Sequence, residues 1–94
     1  MERLKAQRDK LSIIVEILEV AQQGAPKTHI MYRTNLNYKT LNRYVGLLLK
    51  KELLSKILNE RMYKTTDRGV DFLECYHEIM ELLKMPPLEL PKSA

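Results

Sequence analysis

The sequence predicts a mainly α fold with a small β-hairpin and a long C-terminal helix. Three observations carry that reading. Apolar residues recur at helical spacing in three stretches, about 9–23, 38–51 and 66–85. Two short apolar-containing runs, 53–58 and 61–65, flank an Asn59-Glu60 turn as the strands of a hairpin would. Gly24 with Pro26, and later Pro86-Pro87, mark breaks that no helix crosses easily.

The elements follow in order. The first helix is expected from about Asp9, its cap, to Gln23, with Leu11, Ile14, Val15, Leu18 and Ala21 as its apolar stripe. Gly24 serves as its stop. A short second helix runs about 28–34 and buries Ile30 and Met31. The turn after it is Thr34-Asn35-Leu36-Asn37, in which asparagine tolerates left-handed backbone and Leu36 plugs the core. Asn37 then caps a third helix over 38–51. At about 100° per residue, Leu41, Tyr44, Val45, Leu48 and Leu49 fall on one face. Lys39, Arg43 and Lys50 fall within about 40° of one another on the opposite face. Gly46 lies among these cations. It leaves room either for a partner or for a neighbouring helix of the same chain. The hairpin comes next, with a loop that is two residues or longer. The last helix starts near Thr66 or Asp67 and ends at Lys84 or Met85, a span of about 27 Å.

Composition sets the class. The 94 residues suit one domain, expected over 1–85 with a flexible tail over 86–94. At 45% apolar and 30% charged, the chain has material for a core and stays soluble. No run approaches the roughly 18 apolar residues of a membrane span, and the N-terminus lacks a signal-peptide core. The single cysteine, Cys75, excludes an internal disulfide framework and fits a reducing, cytoplasmic setting, although pairing between chains stays open. Charge is more telling. Lys27 to Lys64 carries nine Lys/Arg and two acids, a local +7 in a chain whose total is +4. Residues 65–85 are −3. A basic middle beside an acidic helix gives the molecule one face that attracts a polyanion and one that does not, unless the lysines merely solvate a surface.

The segment NLNYKTLNRYVGLLLKKELL, ending at Leu54, resembles the recognition-helix region of archaeal and MarR-like winged helix-turn-helix proteins. Such families often place glycine in the turn before the apolar pair, where this chain has Glu52. The run Tyr63-Lys64-Thr65-Thr66-Asp67-Arg68-Gly69 looks like the Tyr-x-x-Thr-x-basic-Gly join between wing and last helix. Gly24 to Tyr32, with Asn35-Leu36, is similar to the small dimeric, chromatin-associated archaeal group. The resemblance covers about 9–84 and implies double-stranded DNA binding without catalysis. It implies either a transcriptional regulator or a nucleoid-associated protein, sequence-specific or semi-specific.

On that reading helix 38–51 enters the major groove and wing 54–65 meets the backbone or minor groove. The expected contacts are Lys27, Thr28, Tyr38, Lys39, Asn42, Arg43, Lys50, Lys56, Arg61 and Lys64. Arg43 suits guanine and Asn42 adenine, each in a two-bond pairing. Lys39 and Lys50 suit phosphates, as do the amides near Thr28 and Tyr38. Arg61 leads at the wing, supported by Lys56 and Lys64. Tyr44 and Tyr63 read as core. The last helix carries more apolar surface than one stripe, so a homodimer through Phe72, Tyr76, Ile79, Met80 and Leu83 is expected unless the first helix covers it. His29 and His77 lie far apart, and no zinc-ligand spacing, phosphate loop or nucleophile motif appears. No cofactor, small-molecule ligand or membrane partner is inferred. The alternative is a protein-interaction module in a larger assembly.

Overall fold

The computed structural model describes residues 9–57, 59 and 61–85. Four helices and a three-stranded sheet follow the order α1 (Lys10–Val20), β1 (Ala25–Pro26), α2 (Lys27–Thr34), α3 (Tyr38–Lys50), β2 (Leu54–Ile57), β3 (Met62–Thr65) and α4 (Asp67–Lys84). The mainly α fold with a wing and a long last helix is therefore as expected. The expected tail 86–94, with Pro86-Pro87, lies outside the described residues.

Three of the four helices start at side chains that accept the first free amides, while α2 starts after Pro26 without one. Asp9 Oδ1 accepts from Ser12 N at 2.8 Å, and Asn37 Oδ1 accepts from Thr40 N at 2.8 Å. Thr66 Oγ1 accepts from Gly69 N at 3.0 Å. The stops differ more from expectation. α1 ends at Val20, not Gln23, because residues 21–23 turn and Gly24 at φ 94° donates back to Ala21 O at 3.0 Å. α2 ends where Asn35 takes left-handed backbone at φ 59°. Leu36, next in that turn, is half-buried against the core.

The core is built from Ile13, Val15, Ile17, Leu18 and Ala21 of the α1 region, Ile30, the α3 face Leu41, Tyr44, Val45 and Leu48, and Leu54, Tyr63 and Leu73. The α3 wheel holds as expected. The α1 stripe holds in part, with Val15, Leu18 and Ala21 buried. Leu11 is 46% exposed and Ile14 only half-buried, while Ile13 and Ile17 are buried. α1 is apolar on several faces and packs against α2, α4 and β3 together, so its buried face is wider than one stripe and turned from the expected one.

The hairpin gains a third strand. Its order is β1-β3-β2, all antiparallel, with Ala25 opposite Tyr63 and Leu54 opposite Thr65. β2 ends at Ile57 and β3 starts at Met62, so the link is longer than the Asn59-Glu60 pair. Asn59 and Arg61 in it are left-handed at φ 68° and 44°. Thr65 ties the sheet to α1: its amide donates to Ala21 O at 3.0 Å and its buried hydroxyl to Leu18 O at 2.6 Å.

The join between wing and last helix explains its residue pattern. Glu52 holds the left-handed turn at φ 61°, so the turn keeps the geometry that glycine usually supplies. Thr66 donates its hydroxyl to Glu52 O at 2.7 Å and its amide to Leu53 O at 3.1 Å. These bonds draw the start of α4 against the closing turn of α3. A Cβ on Gly69 would lie 2.3 Å from Leu53 O and 2.5 Å from Thr65 Cγ2, so only glycine fits there.

Candidate nucleic-acid interface

α3 presents the densest part of the basic surface. Burial of Leu41, Tyr44, Val45 and Leu48 on one side forces the other side outward, and Lys39, Arg43 and Lys50 are all exposed there. Gly46 is exposed among them, and a Cβ built on it meets nothing within 4 Å. Among the described residues, no neighbouring helix uses that space. Lys10, from the start of α1, shares a shallow hollow with Arg43, Tyr44 and Leu47. It extends the basic surface beyond the stretch that a linear charge count picks out.

A second group gathers where the starts of α2 and α3 face the wing. Lys27, Thr28, Met31, Tyr38, Lys56, Arg61 and Tyr63 line a cleft of about 350 Å³. Five of these (Lys27, Thr28, Tyr38, Lys56 and Arg61) are among the expected contacts, brought together from α2, α3, β2 and the loop after β2. Lys39, Asn42, Arg43, Lys50 and Lys64 do not line it. Lys64 is exposed on β3.

Lys27 is the organising residue of the cleft. Its Nζ donates to Asn42 Oδ1 at 2.6 Å. It also stands 5.6 Å from the ring centroid of Tyr38 and 5.7 Å from that of Tyr63. Both distances are within the range in which an ammonium is attracted to a ring face. Tyr63 is buried and Tyr38 is 60% exposed. Tyr44 is buried, so it and Tyr63 are core residues as expected.

α4 divides along its length. Phe72 and Tyr76 are half-buried against the chain's own core, and Met80 is half-buried further along. Ile79 and Leu83 are exposed, and so are Leu82 and Met85, which were not among the expected interface residues. His77 Nε2 lies 3.2 Å from Glu19 Oε2, linking α4 to α1 at the surface. An apolar groove of about 490 Å³ runs between α1, the end of α3 and α4, lined by Ile14, Leu47, Leu53, Phe72 and Cys75 with Lys51 and Arg68 at its edge. Among the described residues, no group of three or more His, Cys, Asp or Glu is placed to hold a metal, and no helix is long and apolar enough to cross a membrane.

A family model described as winged helix-turn-helix matches residues 7–84. Two uncharacterized proteins of Methanocaldococcus jannaschii are similar in sequence. One is 40% identical over 77 residues, which is 81% of this chain but 36% of that protein. The chain therefore spans little more than a third of that relative. The other is 27% identical over 81 residues, covering 85% of this chain and 81% of that protein. Among solved structures, the fold is similar to that of Sso10a-2, a DNA-binding protein from Sulfolobus solfataricus. The TM-score is 0.71 at 20% identity, over 82% of this chain and 83% of the other.

Proposed function

Since this chain belongs to the winged helix-turn-helix family, we propose that it binds double-stranded DNA. It does so as a homodimer and serves as a transcriptional regulator or a nucleoid-associated protein. One observation carries the reading: Lys39, Arg43 and Lys50 stand exposed on the face of α3 opposite its buried residues. In this reading α3 lies in the major groove and residues 54–65 reach the backbone or minor groove. Lys39 and Lys50 neutralise phosphates, and Arg43 reaches a base edge. Lys56, Arg61 and Lys64 support the wing side. The DNA-binding activity of Sso10a-2 points the same way.

Salt titration tests this directly. About five phosphate contacts per subunit give a log–log slope of about −4 to −5 for binding against salt. Salt-independent binding overturns the reading. Arg43→Ala should weaken binding while the fold stays intact, because Arg43 is exposed and outside the core. Unchanged affinity would remove α3 as the reading element.

The homodimer is supported by the distal half of α4 and the Met85 that follows it, where Ile79, Leu82, Leu83 and Met85 are 54–72% exposed. Burying that surface is worth about 25 cal/mol per Å² of apolar area. Sedimentation or light scattering reports the state, and Ile79→Glu with Leu83→Glu should leave a folded monomer. A second reading, a protein-interaction module, draws on the apolar groove beside Leu47, Leu53 and Phe72. A mobility shift on random duplex DNA at low salt separates the two. Absence of any shift favours the module.

A further inference from the structure

We propose that the cleft between the starts of α2 and α3 and the wing binds a free phosphate monoester that carries a flat ring, a mononucleotide in chemical class, and that this ligand competes with DNA. The binding stands apart from the DNA reading. The competition rests on it.

Three cations, Lys27, Lys56 and Arg61, line the cleft, and no acid does. Among the described residues none of the three is paired with a carboxylate. Lys27 is already held in place. It is half-buried, its Nζ donates to Asn42 Oδ1 at 2.6 Å, and the rings of Tyr38 and Tyr63 flank it at 5.6 and 5.7 Å. These partners are neutral, so they fix the ammonium without cancelling its charge. Lys27 thus gives the cleft a fixed charge, and exposed Lys56 and Arg61 add two adjustable ones. Thr28 lies in the first turn of α2, where Pro26 supplies no side-chain cap. The free amides of that turn add further positive potential.

This uncompensated charge sets the ligand class. Each phosphodiester of a continuous duplex carries a single negative charge. A phosphate monoester carries about −1.5 to −2 at pH 7 and offers three strong acceptor oxygens. It balances more of the three cations than a diester does, through charge-assisted hydrogen bonds. The rest of the lining suits a ring: Met31 is half-buried and Tyr38 is 60% exposed. Bases stack on such aromatic side chains with little regard to sequence. The volume of about 350 Å³ lies within the range of small-molecule sites, about 300–1,000 Å³.

The consequence for DNA follows from shared residues. Lys56 and Arg61 are also the wing-side contacts of the proposed complex. A cation neutralised by the monoester is lost to the duplex backbone, so the ligand weakens DNA binding.

The experiment begins with calorimetric titration of the full chain, without DNA, using adenosine 5′-monophosphate, its phosphate methyl ester and adenosine. The monophosphate should bind once per chain. The ester keeps the ring but loses one charge, and should bind about fivefold more weakly or worse. Adenosine should be weaker still. Lys56→Gln combined with Arg61→Gln should bind the monophosphate at least about tenfold more weakly. Both residues are exposed, so circular dichroism should be unchanged. Lys84→Gln, on α4 and outside the cleft, removes the same kind of charge and should bind as wild type does. In a second arm, fluorescence anisotropy follows labelled duplexes with 5′-hydroxyl or 5′-phosphate ends. The monophosphate should raise the apparent Kd of the 5′-hydroxyl duplex, and adenosine should not. No binding of the monophosphate, equal binding of monophosphate and ester, or an equal loss in Lys84→Gln overturns the inference and leaves DNA binding in place. Preference for the 5′-phosphate duplex without binding of the free monophosphate assigns the cleft to DNA ends and also overturns it. Binding of the monophosphate with no release of duplex upholds the site and overturns the competition. Binding of the monophosphate by a protein that holds no duplex upholds the site and overturns the DNA reading.

Discussion

Gly69→Ala tests the contact that joins wing, α3 and last helix. The added Cβ would sit 2.5 Å from Thr65 Cγ2 and 2.3 Å from Leu53 O. Carbon atoms pack at about 3.5–4.0 Å, so the methyl arrives roughly 1 Å too close to a side chain and closer still to a backbone oxygen. Neither neighbour is a flexible tip. The segment 52–53 and the start of α4 must separate, which strains the Thr66 bonds to Glu52 O at 2.7 Å and Leu53 O at 3.1 Å. Two weakened hydrogen bonds cost about 0.5–1.5 kcal/mol each, and overpacking near buried Leu54 adds about 1–3 kcal/mol. Alanine returns up to about 1 kcal/mol through backbone entropy and helix propensity. Taking the middle of each range and the full alanine return, the net loss is about 3 kcal/mol, or a fall in Tm of roughly 12–24 °C for a domain of this size. Urea and thermal unfolding followed by circular dichroism measure it. Gly46→Ala is the matched control: with nothing within 4 Å of the new methyl, it should gain about 0.5–1 kcal/mol. A Gly69→Ala protein as stable as wild type would refute the reasoning, as would two glycine variants that move in the same direction.

Three further outcomes are expected. Thr65→Val preserves shape but leaves Leu18 O, now 2.6 Å from the Thr65 hydroxyl, without that buried donor, so it should cost about 1–3 kcal/mol in urea unfolding. Glu52→Gly relieves left-handed backbone at φ 61° and should stabilise by up to about 1 kcal/mol, read as a higher urea midpoint. Hydrogen bonds from the Ser12 amide and then its hydroxyl hold the Asp9 carboxyl below its ordinary value. A lowered folded pKa adds stability above the unfolded value of about 4 and loses it as the pH falls through the folded one. Asp9→Asn does not titrate, so the stability of wild type relative to this variant should fall across that acid window, and a pH-independent difference would count against the cap.

How far the sequence revealed the fold depends on where each signal resides. α3 was readable because one helix carries both its apolar face and its cations, and the 3.6-residue turn sorts them without outside help. α1 was not, because Leu11, Ile13, Ile14, Val15 and Ile17 offer several stripes, and only the positions of α2, α4 and β3 decide among them. Strand β1 could not be foreseen at all: two residues, one of them proline, become a strand only because Tyr63 and Met62 lie opposite. The cleft shows the same division. Lys27, Thr28, Tyr38, Lys56 and Arg61 each stand out in the sequence by their own chemistry, but their meeting is a product of tertiary packing. The Lys27–Asn42 bond spans fifteen residues and two helices, so no spacing rule exposes it. Lys10 was missed because its cation lies outside the basic stretch in the chain and beside it in space.

The order β1-β3-β2 leaves two strands with one side unpaired. On the β1 side the strand is only two residues long and one is Pro26, which has no amide to donate. On the β2 side, Ser55 and Lys56 are exposed, and a charge there disfavours another strand. Both borders are thus poor templates for edge-to-edge association. Among the described residues no strand edge is ready to be recruited, so copies held at high local concentration find no template for a cross-β aggregate.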